Sequence, residues 1–127
     1  MADWTGMQPR PRIKVISSGG VVYRVENGIP LPLGTGWDAY APALDAATTV
    51  IRRFGPDGLV VSLGVDTAAE DYDTFQLVGP DFARMGEAIG ALGLPTVLVQ
   101  EGGYDLGVIG RNVVAVLRGV EDAYGSS

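Results

Sequence analysis

The 127 residues contain no cysteine and no histidine. The first absence excludes disulfides, thiol nucleophiles and thiolate metal sites, without fixing a compartment. The second excludes a Ser-His or Cys-His relay and any imidazole ligand supplied by these residues. Basic side chains are scarce: nine Lys and Arg stand against 15 Asp and Glu, for a formal charge of −6. That balance argues against a nucleic-acid surface and is compatible with a cationic small substrate, although modest negative charge also serves solubility alone. No apolar run approaches the roughly 18 residues of a membrane span. The start, Met1-Ala2-Asp3-Trp4-Thr5-Gly6, lacks the basic stretch and apolar run of a secretory signal. The expectation is a cytoplasmic protein that binds neither nucleic acid nor membrane.

What is present suits one folded domain. Hydrophobic residues make up 46% and charged residues 19%, which predicts a buried core. Residues 1–12 show no periodicity and read as an irregular arm. Two β-rich runs, Ile13–Ser17 and Val21–Val25, flank Ser18-Gly19-Gly20 and read as a hairpin. Residues 27–36 are punctuated by Pro and Gly and read as a loop.

Alternation follows. Tyr40, Leu44, Ala47, Ile51 and Phe54 make one apolar stripe at helical spacing, with Thr35 and Asp38 resembling a capping box. Leu59–Gly64 is a short, nearly continuous apolar run that suits a buried parallel strand. Residues 65–79 form a polar loop. Pro80 opens a second helix, whose stripe is Phe82, Met85, Ile89 and Leu92 and whose stops are Gly93 and Pro95. Thr96–Val99 predicts a second buried strand. Glu101–Tyr104 is a tight turn, and Asp105 is a candidate cap for a third helix that buries Ile109, Val113, Val116, Leu117 and Val120. The pattern predicts an α/β fold with a parallel sheet. Ligands bind such sheets beyond the carboxyl ends of the strands. The site is therefore expected between residues 65–76 and 101–105, with Asp66 and Tyr104 approaching each other across that edge.

Each candidate has two readings. Asp66, at a strand end, suits a cation ligand, or else caps a turn. Tyr104 follows Gly102 and Gly103, which allow a sharp turn or a close approach. Its phenol suits donation to a developing oxyanion, or else packs over the loop. Glu70-Asp71 suits hydrolase carboxylates, or else a solvated loop. Gly34-Thr35-Gly36-Trp37-Asp38-Ala39 mimics a dinucleotide fingerprint, but Pro30 and Pro32 precede it and rule out the strand that fingerprint needs.

Two motifs then arrive together in order. Val60-Val61-Ser62-Leu63-Gly64-Val65-Asp66-Thr67 and Val97-Leu98-Val99-Gln100-Glu101-Gly102-Gly103-Tyr104 resemble the two C-terminal signatures of the histone deacetylase and acetylpolyamine amidohydrolase family. The segment Ile29–Gly36 with Tyr40, and Gly110-Arg111-Asn112-Val113, are similar to family segments before and after them. The wording of Ser62–Thr67 and Ile109–Val113 leans toward the acetylpolyamine amidohydrolases.

The resemblance implies the C-terminal part of an arginase-deacetylase fold, a three-layer parallel sheet flanked by helices. It implies a zinc ion held by two aspartates and one histidine, with Asp66 as one aspartate. It assigns Tyr104 as the oxyanion donor and places Gly102 and Gly103 beside the substrate. The reaction it implies is metal-assisted hydrolysis of an acetyl amide on a polyamine or a lysine. The family's remaining metal ligands and its tandem histidines belong to earlier segments that are not found here. Where many relatives carry an Asp-Pro pair after the metal aspartate, this sequence has Glu70-Asp71-Tyr72, and the following loop is one residue shorter. Asp73 falls near a rim position where a carboxylate would favour a second ammonium on the substrate; its other reading is a solvated loop acid.

The resulting division is an N-terminal arm and β-rich segment over residues 1–26 without a family match, a deacetylase-like portion over 27–122, and a frayed tail over 123–127. The expected function is that of a truncated deacetylase, inactive alone, that pairs with an N-terminal half or with itself through a strand edge along Leu59–Leu63 or Thr96–Val99. The alternative is a non-catalytic, partner-binding α/β domain.

Overall fold

The computed structural model describes residues 13–17, 22–23, 31, 33–71 and 75–126. Strands β1 (Ile13–Ser17) and β2 (Val22–Tyr23) come first. Helix α1 (Trp37–Phe54), strand β3 (Gly58–Leu63), helix α2 (Gly79–Gly90), strand β4 (Thr96–Gln100) and helix α3 (Ile109–Ala123) follow. The strands form one sheet in the order β2-β1-β3-β4. β1 and β2 run antiparallel, with Ile16 opposite Tyr23. β1, β3 and β4 run parallel, with Val15 opposite Val60 and Val61 opposite Leu98. The α/β class expected from the alternation holds, and α2 supplies the crossover that two parallel neighbours require. The two N-terminal β runs pair with each other as the hairpin reading expects, and β1 also covers one edge of β3.

Alternation along β3 positions the core. Leu59, Val61 and Leu63 are buried, while Val60 and Ser62 between them are half-buried. The buried set forms one cluster with Tyr40, Leu44, Ala47 and Ile51 of α1, Phe82, Met85 and Ile89 of α2, and Val116 of α3. These are the stripes that spacing predicts. Tyr40 meets Phe75 edge-on, with ring centroids 6.3 Å apart at 84°. α2 and α3 cross backbone to backbone. A methyl group at Gly86 would strike the Val116 carbonyl, one at Gly90 the Val120 carbonyl, and one at Gly119 the Ala83 carbonyl.

Several expectations need correction. β4 is an edge strand among the described residues, and Val97 (59% exposed) and Val99 (42%) lie on the sheet face of Val60 and Ser62, away from the core, while Leu98 packs against it. Leu117 lies on the outer face of α3 and Phe54 at the exposed end of α1. Thr35 does not cap α1. Gly36 is the N-cap and makes no side-chain capping bond, while Thr35 is buried and bridges to Phe75. Asp105 does not cap α3 either; its carboxylate accepts the Gly107 N–H (2.8 Å), and the helix begins four residues later, at Ile109. The 65–79 loop, read as polar, buries Val65, Thr67, Ala68, Phe75 and Leu77 among its described residues. Pro80 sits in the first turn of α2 as expected, and the Asp81 carboxylate accepts the Val78 N–H at 2.9 Å to satisfy that terminus. No described helix is long and apolar enough to cross a membrane.

Candidate functional site

Parallel pairing of β3 with β4 brings their carboxyl ends to the same sheet edge, and the ladder continues past both strands. Glu101 N–H donates to the Leu63 carbonyl and Val65 N–H to the Gly102 carbonyl, both at 2.8 Å. The two loops therefore leave the sheet side by side. Asp66 lies on the first and Tyr104 on the second, so both residues follow the carboxyl ends of neighbouring strands.

Asp66 is held in a glycine cradle. A methyl group built on Gly64 would come 2.6 Å from Asp66 Oδ1, and one on Gly102 would come 2.5 Å from Oδ2. The residue is half-buried, yet Oδ1 itself is buried and has no hydrogen-bond partner among the described residues. A buried carboxylate oxygen without a partner is costly, and a bound cation is one way to satisfy it. Asp66 thus fits the role of one metal ligand. A complete site does not follow, because the described residues hold no group of three or more His, Cys, Asp or Glu that could share an ion.

Gly103 has its own reason for being glycine. Its φ is 140°, and a methyl group there would come 2.7 Å from Val65 Cγ2. The two glycines read from sequence as substrate-binding therefore first serve the turn: Gly102 makes room for Asp66, and Gly103 lets the chain swing Tyr104 outward. Tyr104 is 59% exposed, so it is not packed over the loop. Asp73 lies outside the described residues.

Glu70 and Asp71, read from sequence as hydrolase carboxylates or a solvated loop, each make a long-range tie, Asp71 to the second loop and Glu70 to α3. Asp71 Oδ2 accepts the N–H groups of Tyr104 (2.8 Å) and Asp105 (3.3 Å). Glu70 pairs with Arg111 of α3 at 3.1 Å. Glu70, Asp71, Tyr104 and Asp105 line a cleft of about 220 Å³. A larger hollow of about 410 Å³ beside α2 and α3, lined by Glu87 and Asp122 among others, contains none of the strand-end residues and offers no such convergence. The acidic pair was visible in the sequence, but its partners lie 33 to 41 residues away and no local pattern announces them. Two more buried polar side chains, Thr67 and Asn112, have no hydrogen-bond partner among the described residues.

The strand-end aspartate in a glycine cradle and the Gly-Gly-Tyr turn thus leave the same edge of a parallel α/β sheet. A histone deacetylase domain model matches residues 14–120, and the chain belongs to that family. It is 53% identical over 95 residues to acetylpolyamine amidohydrolase 1 of Pseudomonas aeruginosa, covering 74% of this chain and 28% of that protein. It is 50% identical over 96 residues to acetylpolyamine amidohydrolase 2 of the same organism, covering 75% and 28%. The crystal structure of an acetylpolyamine aminohydrolase from Burkholderia pseudomallei superposes with a TM-score of 0.74 at 38% identity, covering 77% of this chain and 29% of that one. The chain thus spans just over a quarter of the length of these relatives, which fits a C-terminal portion of the arginase-deacetylase fold.

Proposed function

We propose that these residues form one half of the active site of a zinc-dependent deacetylase that hydrolyses acetylated polyamines. Asp66 would be one metal ligand and Tyr104 the hydrogen-bond donor to the carbonyl oxygen. The observation that carries the reading is the Asp66 carboxylate, held between Gly64 and Gly102 with Oδ1 unsatisfied and Tyr104 two residues beyond that cradle. That these relatives are acetylpolyamine amidohydrolases supports the substrate class. The acidic edge formed by Glu70, Asp71 and Asp105 suits a polycationic substrate. Asp73 is part of this proposal as a rim carboxylate for a second ammonium.

Zinc, when bound, supplies polarisation of the amide and an acidified water. Tyr104 would place its O–H toward the oxygen that gains charge as the acetyl carbon becomes tetrahedral. Asp66 would hold its share of the ion. With Asp66 engaged as a ligand and Tyr104 as the oxyanion donor, neither is assigned the transfer of a proton from water to the leaving amine. These residues contain no histidine, so that proton traffic and the other ligands would come from polypeptide outside them. The chain alone would therefore be inactive.

Elemental analysis after dialysis, with an acetylpolyamine hydrolysis assay on the same sample, tests this. The expected result is less than stoichiometric zinc and no turnover. One tightly held zinc per chain with turnover abolished by Tyr104→Phe would show that the site is complete. The lack of histidine also favours a second reading, a non-catalytic domain retained for binding a partner. It predicts no turnover with any histidine-bearing complement.

A further inference from the structure

We infer that Asp71 is a positioning residue for Tyr104: its carboxylate latches the backbone of the Gly-Gly-Tyr turn to the loop that carries Asp66. The inference deepens, and rests on, the reading of Tyr104 as the oxyanion donor. One oxygen, Oδ2, accepts from two successive N–H groups, Tyr104 at 2.8 Å and Asp105 at 3.3 Å. Hydrogen bonds to an ionised acceptor are the stronger kind.

The turn needs such a tether. Gly102 and Gly103 give it more conformational freedom than any other residue pair would. The Tyr104 side chain is 59% exposed and is not immobilised by burial. Asp71 grips the turn at the backbone of the tyrosine itself. Asp71 is in turn fixed locally. Its N–H donates to the Ala68 carbonyl at 3.0 Å, and the Ala68 N–H to the Val65 carbonyl at 3.2 Å, so the turn that presents Asp66 also presents Asp71. Downstream, Asp105 Oδ1 holds the Gly107 N–H at 2.8 Å. The Arg111–Glu70 pair ties the Asp66 loop to α3 instead, but its groups are exposed and such pairs contribute little. Asp66 and Tyr104 are thereby coupled through the Asp71 carboxylate, which acts on the backbone of the turn. The half-site is pre-assembled within these residues.

Backbone amide exchange by NMR on the 127-residue chain tests the latch without requiring catalysis. In the unmodified chain the Tyr104 amide is expected to exchange at least about tenfold more slowly than an unstructured amide. Asp71→Ala is expected to remove that protection and leave the amides of Val116 and Val120 in α3 unchanged. Asp71→Asn, with a neutral acceptor, should give an intermediate rate. Tyr104→Phe retains the backbone donor and should keep the latch. Loss of the donor assignment would therefore leave the latch standing, and loss of the latch would leave the donor assignment to its own test. An unprotected Tyr104 amide in the unmodified chain overturns the inference. So does protection that survives Asp71→Ala, or that falls only together with α3. If Asp71→Ala does not fold, Asp71→Asn decides: a Tyr104 rate equal to that of the unmodified chain overturns the latch.

Discussion

Gly102 lies against the carboxylate of Asp66, so close that a methyl group in its place would sit 2.5 Å from Oδ2. Two loops that leave neighbouring strands are fitted to each other at this point, and the side chain fitted is the candidate metal ligand. Gly102→Ala is therefore expected to push the carboxylate out of its cradle at a cost of about 1 kcal/mol or less, because a side-chain end can swing aside. Urea denaturation reads the stability, and the chemical shift of the Asp66 carboxyl carbon reads the displacement. A variant as stable as the parent, with that resonance unmoved, would show that the contact is not tight.

The crossing of α2 and α3 makes a sharper comparison among glycines. Gly86→Ala and Gly119→Ala each drive a methyl group into a backbone carbonyl of the facing helix, which cannot swing aside as a side-chain end would. Each is expected to cost about 1–3 kcal/mol or more. Gly79→Ala, at the start of α2 with nothing within 4 Å, is expected to stay within about 0.5 kcal/mol. Thermal or denaturant unfolding of the three variants checks the ordering.

Tyr40 is 1% exposed, and burial pushes its phenol well above the ordinary tyrosine range. The neutral form is favoured in the fold. Its contribution to stability is therefore complete below the unfolded-state value of about 10 and is lost as pH rises beyond it. Stability attributable to this residue should be flat from neutral pH to about pH 9 and decline above about pH 10. Absorbance at 295 nm during an alkaline titration is expected to show Tyr40 ionising only as the chain unfolds. Tyr40→Phe should flatten the decline.

The outer edge of β4 has no strand beside it among the described residues, and Val97 and Val99 stand exposed. An apolar edge of this kind invites pairing with another chain. The purified chain is expected to self-associate with increasing concentration. Lysine at both positions, Val97→Lys with Val99→Lys, should reduce that association. Light scattering after size exclusion distinguishes this from a sharp monomer at every concentration, which would mean that the edge is already protected.

The sequence made some of this legible and hid the rest for physical reasons. Helical stripes such as Tyr40, Leu44, Ala47 and Ile51 carry their own period, so three helices could be placed from spacing alone. A run such as Thr96–Val99 has no such signature: four strand-forming residues look alike in the middle of a sheet and at its edge, and neighbours decide which. The capping readings of Thr35 and Asp105 failed because a short polar side chain has several local partners open to it. Asp105 took Gly107, and α1 began from Gly36. The strand-end position of Asp66 and Tyr104 was legible because α/β topology dictates it. The Asp71 latch was not, because it joins residues 33 apart through backbone N–H groups that every residue has.

The central claim is that these residues supply Asp66 and Tyr104 to a site completed by histidine-bearing polypeptide. The direct measurement is complementation: the chain mixed with zinc and a polypeptide matching the remaining portion of an acetylpolyamine amidohydrolase, assayed on an acetylated polyamine. The account predicts turnover in the mixture, none from either part alone, and a loss of about 10²–10³-fold in the mixture carrying Tyr104→Phe, the usual cost of removing one oxyanion donor. Turnover by the chain alone, or a mixture whose activity is indifferent to Tyr104→Phe and Asp66→Ala, would contradict it.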